Sequence, residues 1–198
     1  MKSSMKKLTV FVIVASISMV IAAAMASAGN KVGEIYGEYA FTGTGGCLLS
    51  PSGFNPNLTP KQPPFWTNSF SLSGVWTFNR DGTGNGHATQ VGVTGTASPP
   101  GASLYEYTFP FTYSIADDGT ITVVGEVIGN ILAGSNVIGT FTVDKWSVSG
   151  MASPDHKTMT LATVALEIET VNLLYFPSFA LTVYEICHRS DTLIRIHK

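Results

Sequence analysis

Charged residues are scarce in this sequence, and beyond the first seven positions the basic ones form no cluster. Charged residues make up 12% of the chain, with 11 Lys and Arg against 13 Asp and Glu. Proteins that bind nucleic acids usually carry a patch of Lys and Arg that neutralises the phosphates. The composition therefore argues against a nucleic-acid partner.

Cysteine is nearly absent, since the chain contains Cys47 and Cys187 only. Zinc sites that use cysteine need closely spaced ligands such as Cys-x-x-Cys, and this pair is far apart in the sequence. The histidines are scattered as well, at His87, His156, His188 and His197. We therefore expect neither a metal nor another cofactor.

Residues 1–28 have the composition of a secretory signal peptide. Three lysines precede an apolar run over 8–24, and Ala26-Ser27-Ala28 is a small-residue cleavage site. An uncleaved membrane span is the alternative, although a run of about 17 residues is at the lower limit for crossing a bilayer. Cleavage predicts a periplasmic or secreted protein that begins at Gly29, has no transmembrane anchor and keeps eight of the 11 basic residues.

An even cysteine count in an exported chain predicts a disulfide between Cys47 and Cys187. Two separate buried thiols are the alternative. The bond would join the end of the first predicted strand to the last part of the chain.

Alternation of apolar and polar residues dominates the rest of the sequence, and no helical periodicity of any length is present. The alternation is clearest over 104–115, where aromatic residues occupy every second position. Asp-Gly pairs at 81–82 and 118–119 and the prolines within 98–101 predict turns, and five further prolines predict a long loop over 45–64. The other predicted strands are 34–44, 68–79, 83–96, 120–124, 137–148, 158–170, 180–188 and 193–197.

Eight or nine antiparallel strands joined mostly by short turns predict an all-β fold with a single domain over 29–198. An up-and-down β-barrel of about eight strands is favoured, because closure removes the unpaired edges of an open sheet. A two-sheet β-sandwich is the alternative.

The tripeptide Gly74-Val75-Trp76 resembles the Gly-x-Trp motif of lipocalins and other calycin-type barrels. In those proteins the motif lies on an early strand, and its indole closes one end of the barrel beneath an arginine from near the C-terminus. The resemblance implies that Trp76 has this role, with Arg189 or Arg195 as its partner. A disulfide that holds the C-terminal segment to the barrel is also lipocalin-like.

Inward aromatic rows in such a barrel either fill the interior or line a pocket, and an eight-stranded barrel is wide enough for either outcome. A buried tyrosine needs a hydrogen-bond partner, and several on one face would suit a partly wet cavity. The pocket interpretation predicts a small apolar or amphipathic ligand in contact with Trp76, Phe78, Tyr107, Phe109, Phe111 and Tyr113.

No catalytic residues are predicted. Glu167, Glu169 and Glu185 could supply paired carboxylates, but glutamates at alternate positions are typical of a solvated strand face. No Gly-x-Ser-x-Gly elbow frames a nucleophilic serine.

Three functions therefore remain open. The favoured one is an exported barrel that binds a small apolar or amphipathic ligand. The second is a structural or interaction module of the cell envelope, with Phe54, Phe65 and Trp66 in and beside the proline-rich loop as its contact surface. The third is an enzyme without a local motif. The ligand's identity and the oligomeric state stay open.

The first prediction concerns the disulfide. We expect both thiols of the mature exported protein to react with an alkylating reagent only after reduction, because the pair is oxidised in an exported chain. Intact-mass measurement with and without reductant tests this, and free thiols in the native protein would contradict it.

Overall fold

A computed structural model describes residues 34–95 and 101–197. The predicted signal peptide at 1–28 and most of the predicted turn at 98–101 lie outside the described residues. Within these two ranges there is no helix long and apolar enough to cross a membrane. The described chain forms the strands β1 (Gly37–Ser50), β2 (Trp66–Phe78), β3 (Thr83–Thr94), β4 (Gly101–Ile115), β5 (Thr120–Ala133), β6 (Asn136–Ala152), β7 (Thr158–Ala162), β8 (Glu169–Tyr175) and β9 (Phe179–His197).

The strands form one antiparallel sheet that closes on itself. Strands β1 to β6 pair in chain order, and β9 closes the sheet by pairing with β1. Strands β7 and β8 share the remaining position, because each pairs with β6 on one side and β9 on the other, at different heights. The result is a ring of eight strand positions. It confirms the predicted all-β, antiparallel, barrel-like architecture in place of two separate sheets.

Strand β1 is longer than the sequence pattern predicted. Residues 45–50, assigned to the proline-rich loop, continue the strand and pair with both β2 and β9. Gly45 lies within this strand and allows close packing. A Cβ at Gly45 would lie 2.4 Å from Cζ of Phe70. Glycine is needed because an aromatic ring from β2 occupies the space of a side chain.

The single strand predicted over 158–170 is two strands. Strand β7 ends at Ala162 and β8 begins at Glu169, and residues 163–168 form an exposed connection between them. The amide N–H of Thr163 donates to the carbonyl oxygen of Arg189 at 3.0 Å, and the amide N–H of Arg189 donates to Oγ1 of Thr163 at 3.0 Å. The period of two breaks within this stretch, because Leu161 and Ala162 are adjacent and 164–166 is a continuous apolar run. The prediction of a single strand overlooked this break. Conversely, the two strands predicted at 180–188 and 193–197 are one strand, β9.

Alternate side chains point into the ring, as the sequence predicted for β4. Phe109, Phe111 and Tyr113 are buried, and the residues between them are exposed. They join a packed cluster at the end of the ring where β1 begins and β9 ends. Besides these three residues, its large members include Tyr39, Phe41, Trp76, Phe78 and Trp146. We call this the packed end.

The second prediction tests the packed end. Phe78→Ala should lower the free energy of unfolding by about 3–5 kcal/mol, because truncating a buried aromatic side chain leaves a cavity in a close-packed core. Phe78 is 2% exposed, and four rings surround it at centroid distances from 5.0 to 5.7 Å, those of Tyr39, Trp76, Phe111 and Tyr113. Urea denaturation measures the change. The control is Phe65→Ala, since Phe65 is 53% exposed, and equal effects of the two variants would contradict the prediction.

Candidate functional site

The opposite end of the ring holds a cavity of about 420 Å³. Small-molecule sites typically measure roughly 300–1,000 Å³. The mouth of the cavity lies among the strand ends, at Leu49, Trp66, Gly101, Tyr175 and Leu181. Its floor is one surface of the packed cluster, formed by Phe41, Trp76, Phe109 and Trp146. The same aromatic cluster therefore fills one end of the ring and closes the bottom of the cavity.

The residues predicted to contact a ligand divide between the cavity and the packed end. Trp76, Tyr107 and Phe109 line the cavity. Phe78, Phe111 and Tyr113 lie in the packed cluster. Alternation along a strand predicts which side chains face inward, but it carries no information about depth. The two groups could therefore not be separated from the sequence.

The side wall of the cavity is largely apolar. Tyr105 and Tyr107 meet the ring of Phe141 at centroid distances of 5.1 and 5.9 Å. The hydroxyl of Tyr107 donates a hydrogen bond to Oε1 of Gln90 at 3.3 Å, and burial raises the pKa of this phenol. The other apolar wall residues include Phe70, Val127, Val143, Val171, Leu173 and Val183.

A cluster of charged side chains interrupts this wall. Arg189 donates to both carboxylate oxygens of Glu169, at 2.5 and 2.6 Å, and its Nη2 lies 3.6 Å from Oε1 of Glu185. Asp191 follows on the same inward face of β9. Glu169 and Glu185 are 5% and 9% exposed, which corrects the expectation that they lie on a solvated face. Only Glu167 is exposed as expected, in the connection between β7 and β8.

Sequence reasoning missed this cluster, although a signal for it existed. Cys187 was predicted to form a disulfide, and a period of two from Cys187 places Glu185, Arg189 and Asp191 on the same face. The charge of these residues argued for solvent, and the inward face of β9 was therefore not recognised.

Burial raises the pKa values of two carboxyl groups in the cluster. The pKa of Glu185 rises to about 7, because burial disfavours its charged form more than the nearby Arg189 favours it, and the charge of Glu169 adds to the rise. The pKa of Asp191 rises to about 6 for the same reason, again opposed by Arg189. Burial alone would lower the pKa of Arg189, but its hydrogen bonds to Glu169 and the surrounding negative charges raise it. Arg189 therefore stays charged while Glu185 and Asp191 titrate near neutral pH.

Several polar atoms of the cavity residues lack a protein partner. Oδ1 of Asn68, Oδ1 of Asp191, and Nε1 of both Trp76 and Trp146 are buried and form no hydrogen bond with the described residues. All four residues line the cavity. Buried polar groups are normally hydrogen-bonded, because an unpaired one costs about 1–3 kcal/mol. Four residues of the cavity lining therefore carry buried polar atoms, two acceptors and two donors, whose hydrogen-bonding capacity is unused by the described residues.

The disulfide between Cys47 and Cys187 borders the cavity. The two cysteines are direct partners in the β1–β9 pairing, with Cα atoms 4.1 Å apart. Their sulfur atoms and a carboxylate oxygen of Glu185 lie within 4.8 Å of one another. The sulfurs are bonded to each other, so they do not form a thiolate metal site.

Two further sets of residues, the predicted contact surface and the arginines near the C-terminus, lie elsewhere than the sequence suggested. Phe54 of the proline-rich loop is buried and Trp66 lines the cavity, so only Phe65 remains exposed from the proposed contact surface. Arg195 lies over the ring of Tyr39, 5.0 Å from its centroid, and donates to the hydroxyl of Tyr39. Arg189 is bound to Glu169. Arg195, one of the two arginines that the lipocalin resemblance offers as a partner of Trp76, therefore contacts Tyr39 at the packed end.

Comparison of the chain with protein-family models, with curated proteins and with solved structures finds no match. The lipocalin resemblance therefore stays a prediction, and the function has to be argued from the geometry of the cavity.

The third prediction follows from the raised pKa of Glu185. Glu185 has a folded-state pKa of about 7 and an ordinary value of 4.5, so its ionisation destabilises the folded protein. The folded protein keeps its full stability below pH 4.5 and loses stability as the pH rises toward 7. Glu185→Gln removes this loss. The variant should therefore be more stable than the wild type near pH 8, by on the order of 3 kcal/mol, and should lose the advantage near pH 4.

Denaturant midpoints across this pH range measure the difference. Glu106→Gln is the matched control, because Glu106 is exposed on the outer face of β4. A wild type that exceeds Glu185→Gln in stability near pH 8 would contradict the raised pKa.

Proposed function

We propose that this protein is an exported, non-catalytic binding protein that holds one small amphipathic molecule inside its ring of strands. The observation that carries the proposal is the cavity of about 420 Å³, whose largely apolar lining includes Asp191 and three other residues that each carry a buried, unpartnered polar atom. An apolar wall binds the hydrophobic part of a ligand, and a few convergent polar groups orient it.

The contrast between the two ends of the ring supports this proposal. The packed end is filled by large aromatic side chains, with Tyr39 and Phe78 almost completely buried. The cavity end has the same strand architecture and apolar residues of similar type, but its interior is open to the mouth. A fold that needed its interior only for stability would be expected to fill both ends, because empty apolar space costs packing energy.

We propose a periplasmic or secreted location. The disulfide supports it, because such bonds persist in oxidising compartments. The apolar run and the small-residue cleavage site within 1–28 are the second support.

An enzyme is the second candidate, and the titration of Glu185 and Asp191 near neutral pH favours it. General acids and bases work best with pKa values near the operating pH. The two functions differ in the fate of the ligand. Recovery of an unchanged ligand after prolonged incubation supports binding, and its conversion supports catalysis.

The fourth prediction tests whether the cavity binds apolar molecules. The uncharged dye N-phenyl-1-naphthylamine should bind to the wild type with a rise in fluorescence. Val127→Phe should weaken this binding by about tenfold or more, because Val127 lines the cavity and a larger side chain would occupy it.

The matched control is Ile128→Phe, because Ile128 is the next residue on β5 and is 55% exposed. Leu173→Phe, on β8 two strand positions away, repeats the test if Val127→Phe proves unstable. Native mass spectrometry of protein purified from its own host should in addition show a retained small molecule. A wild type that binds neither the dye nor a host molecule would overturn the proposed function.

A further inference from the structure

Negative charge exceeds positive charge along the cavity wall. Among the described residues that line the cavity, Arg189 is the only basic one, and both of its terminal nitrogens are bound to Glu169. Glu185 shares the same guanidinium at 3.6 Å, and Asp191 has no ion pair within 4.0 Å among the described residues. When both are ionised, the cavity and its bordering residues carry an excess of two negative charges. A monovalent cation entering from outside would neutralise one of them.

Asp191 is the carboxylate with the weakest protein support. It is 5% exposed, and its Oδ1 accepts no hydrogen bond from the described residues. It lies where the cavity meets the packed end, because it lines the cavity and Leu193, two residues further on, belongs to the packed cluster. A buried carboxylate in such surroundings is costly unless a donor or a positive charge reaches it.

The backbone of β1 is adapted to this carboxylate. A Cβ on Gly43 would lie 1.8 Å from Oδ1 of Asp191, so any larger residue at this position would displace the carboxylate. The absence of a side chain at Gly43 lets Asp191 lie against the wall of the ring. The neighbouring floor is aromatic, at Trp76 and Trp146, and aromatic faces attract cations as well as apolar groups.

We propose that the ligand is a cationic amphiphile, in which a protonated amine binds to Asp191 at the bottom of the cavity and an apolar tail extends along the wall toward the mouth. This refinement depends on the ligand-binding function proposed above. Glu185 adds negative charge higher on the same face of β9. The apolar residues between the cluster and the mouth, Phe141, Val171, Leu173 and Leu181, contact the tail.

Ligands of other charge fit this arrangement less well. An anionic headgroup such as a fatty-acid carboxylate would meet Glu185 and Asp191, and the guanidinium that could bind it is already occupied by Glu169. A neutral alcohol could donate one hydrogen bond to Asp191, but it would leave the charge excess in place. A protonated amine also donates to the carboxylate, and in addition its positive charge attracts the carboxylate directly.

The fifth prediction compares three probes that share one tail. Decylamine, decanol and decanoate are each titrated against the bound dye N-phenyl-1-naphthylamine, near pH 8. Decylamine should displace the dye from the wild type at a concentration about tenfold or more below that of decanol, because only the amine brings a positive charge to the carboxylate. Decanoate should be the weakest of the three.

Two variants locate the preference for the amine. Asp191→Asn should bring decylamine and decanol to within about threefold of each other and leave the affinity for the dye and for decanol nearly unchanged. Glu106→Gln, which removes a charge from the outer face of β4, should keep the full preference. If Asp191→Asn does not fold, a pH titration of the wild type gives the same information.

The pH titration has a defined direction. The charged and titratable groups around Asp191 are Arg189 and Glu185 on β9, Glu169 on β8 and Tyr107 on β4. Protonation of Asp191, whose pKa is about 6, should reduce the preference for decylamine below that pH, and decanol binding should change little.

The outcomes separate this inference from the proposed function. If the dye and all three probes fail to bind, both proposals are wrong. If the dye binds and decylamine is no better than decanol, or if Asp191→Asn keeps the preference, the cavity binds apolar molecules and the amine site is wrong. A decanoate that displaces the dye best would also overturn the amine site.

Discussion

The pairing of β1 with β9 is the constraint on which the rest of this structure depends. It joins the first and last described strands over thirteen partner positions, and the disulfide lies within it. Without this pairing the sheet would be open, with two long unpaired edges that favour association with other chains. Closure also encloses the inward faces of all the strands. The packed end, the cavity and the buried charges exist as interior features only because the ring is closed.

The two ends of the ring use the same architecture for different purposes. At the packed end, aromatic rings from β1, β2, β4 and β6 meet edge to face, as Trp76 and Trp146 do at 5.7 Å, and such contacts stabilise a core beyond simple burial. At the other end the strands continue, but the side chains leave space between them. The aromatic cluster supplies the rigidity that a binding site needs, because it supports the cavity floor directly.

The charged side chains inside the ring lower the stability of the fold, and the packing of the core does not account for their presence. Buried ion pairs rarely stabilise a fold more than apolar residues of similar size would, and an unpaired buried carboxylate is worse. The Arg189–Glu169 pair satisfies its own members through two short hydrogen bonds. Glu185 and Asp191 receive much less compensation, which is why their pKa values rise toward neutral. Groups of this kind are typical of functional sites, where stability is exchanged for recognition.

The sequence by itself determined the class of fold, the inward face of β4 and the partners in the disulfide, because these depend on short-range periodicity and on a pair with no alternative partner. It did not determine strand limits where glycine serves close packing, as at Gly45. The apolar spacing breaks within 163–168, but only the tertiary structure showed that this segment leaves the sheet. Only the tertiary structure decided which inward residues fill the core and which line a cavity, since Trp76 and Phe78 share a face of β2 but lie at different depths. It also decided that Glu185 and Asp191 are buried, because strand periodicity assigns a face and only ring closure makes that face the interior.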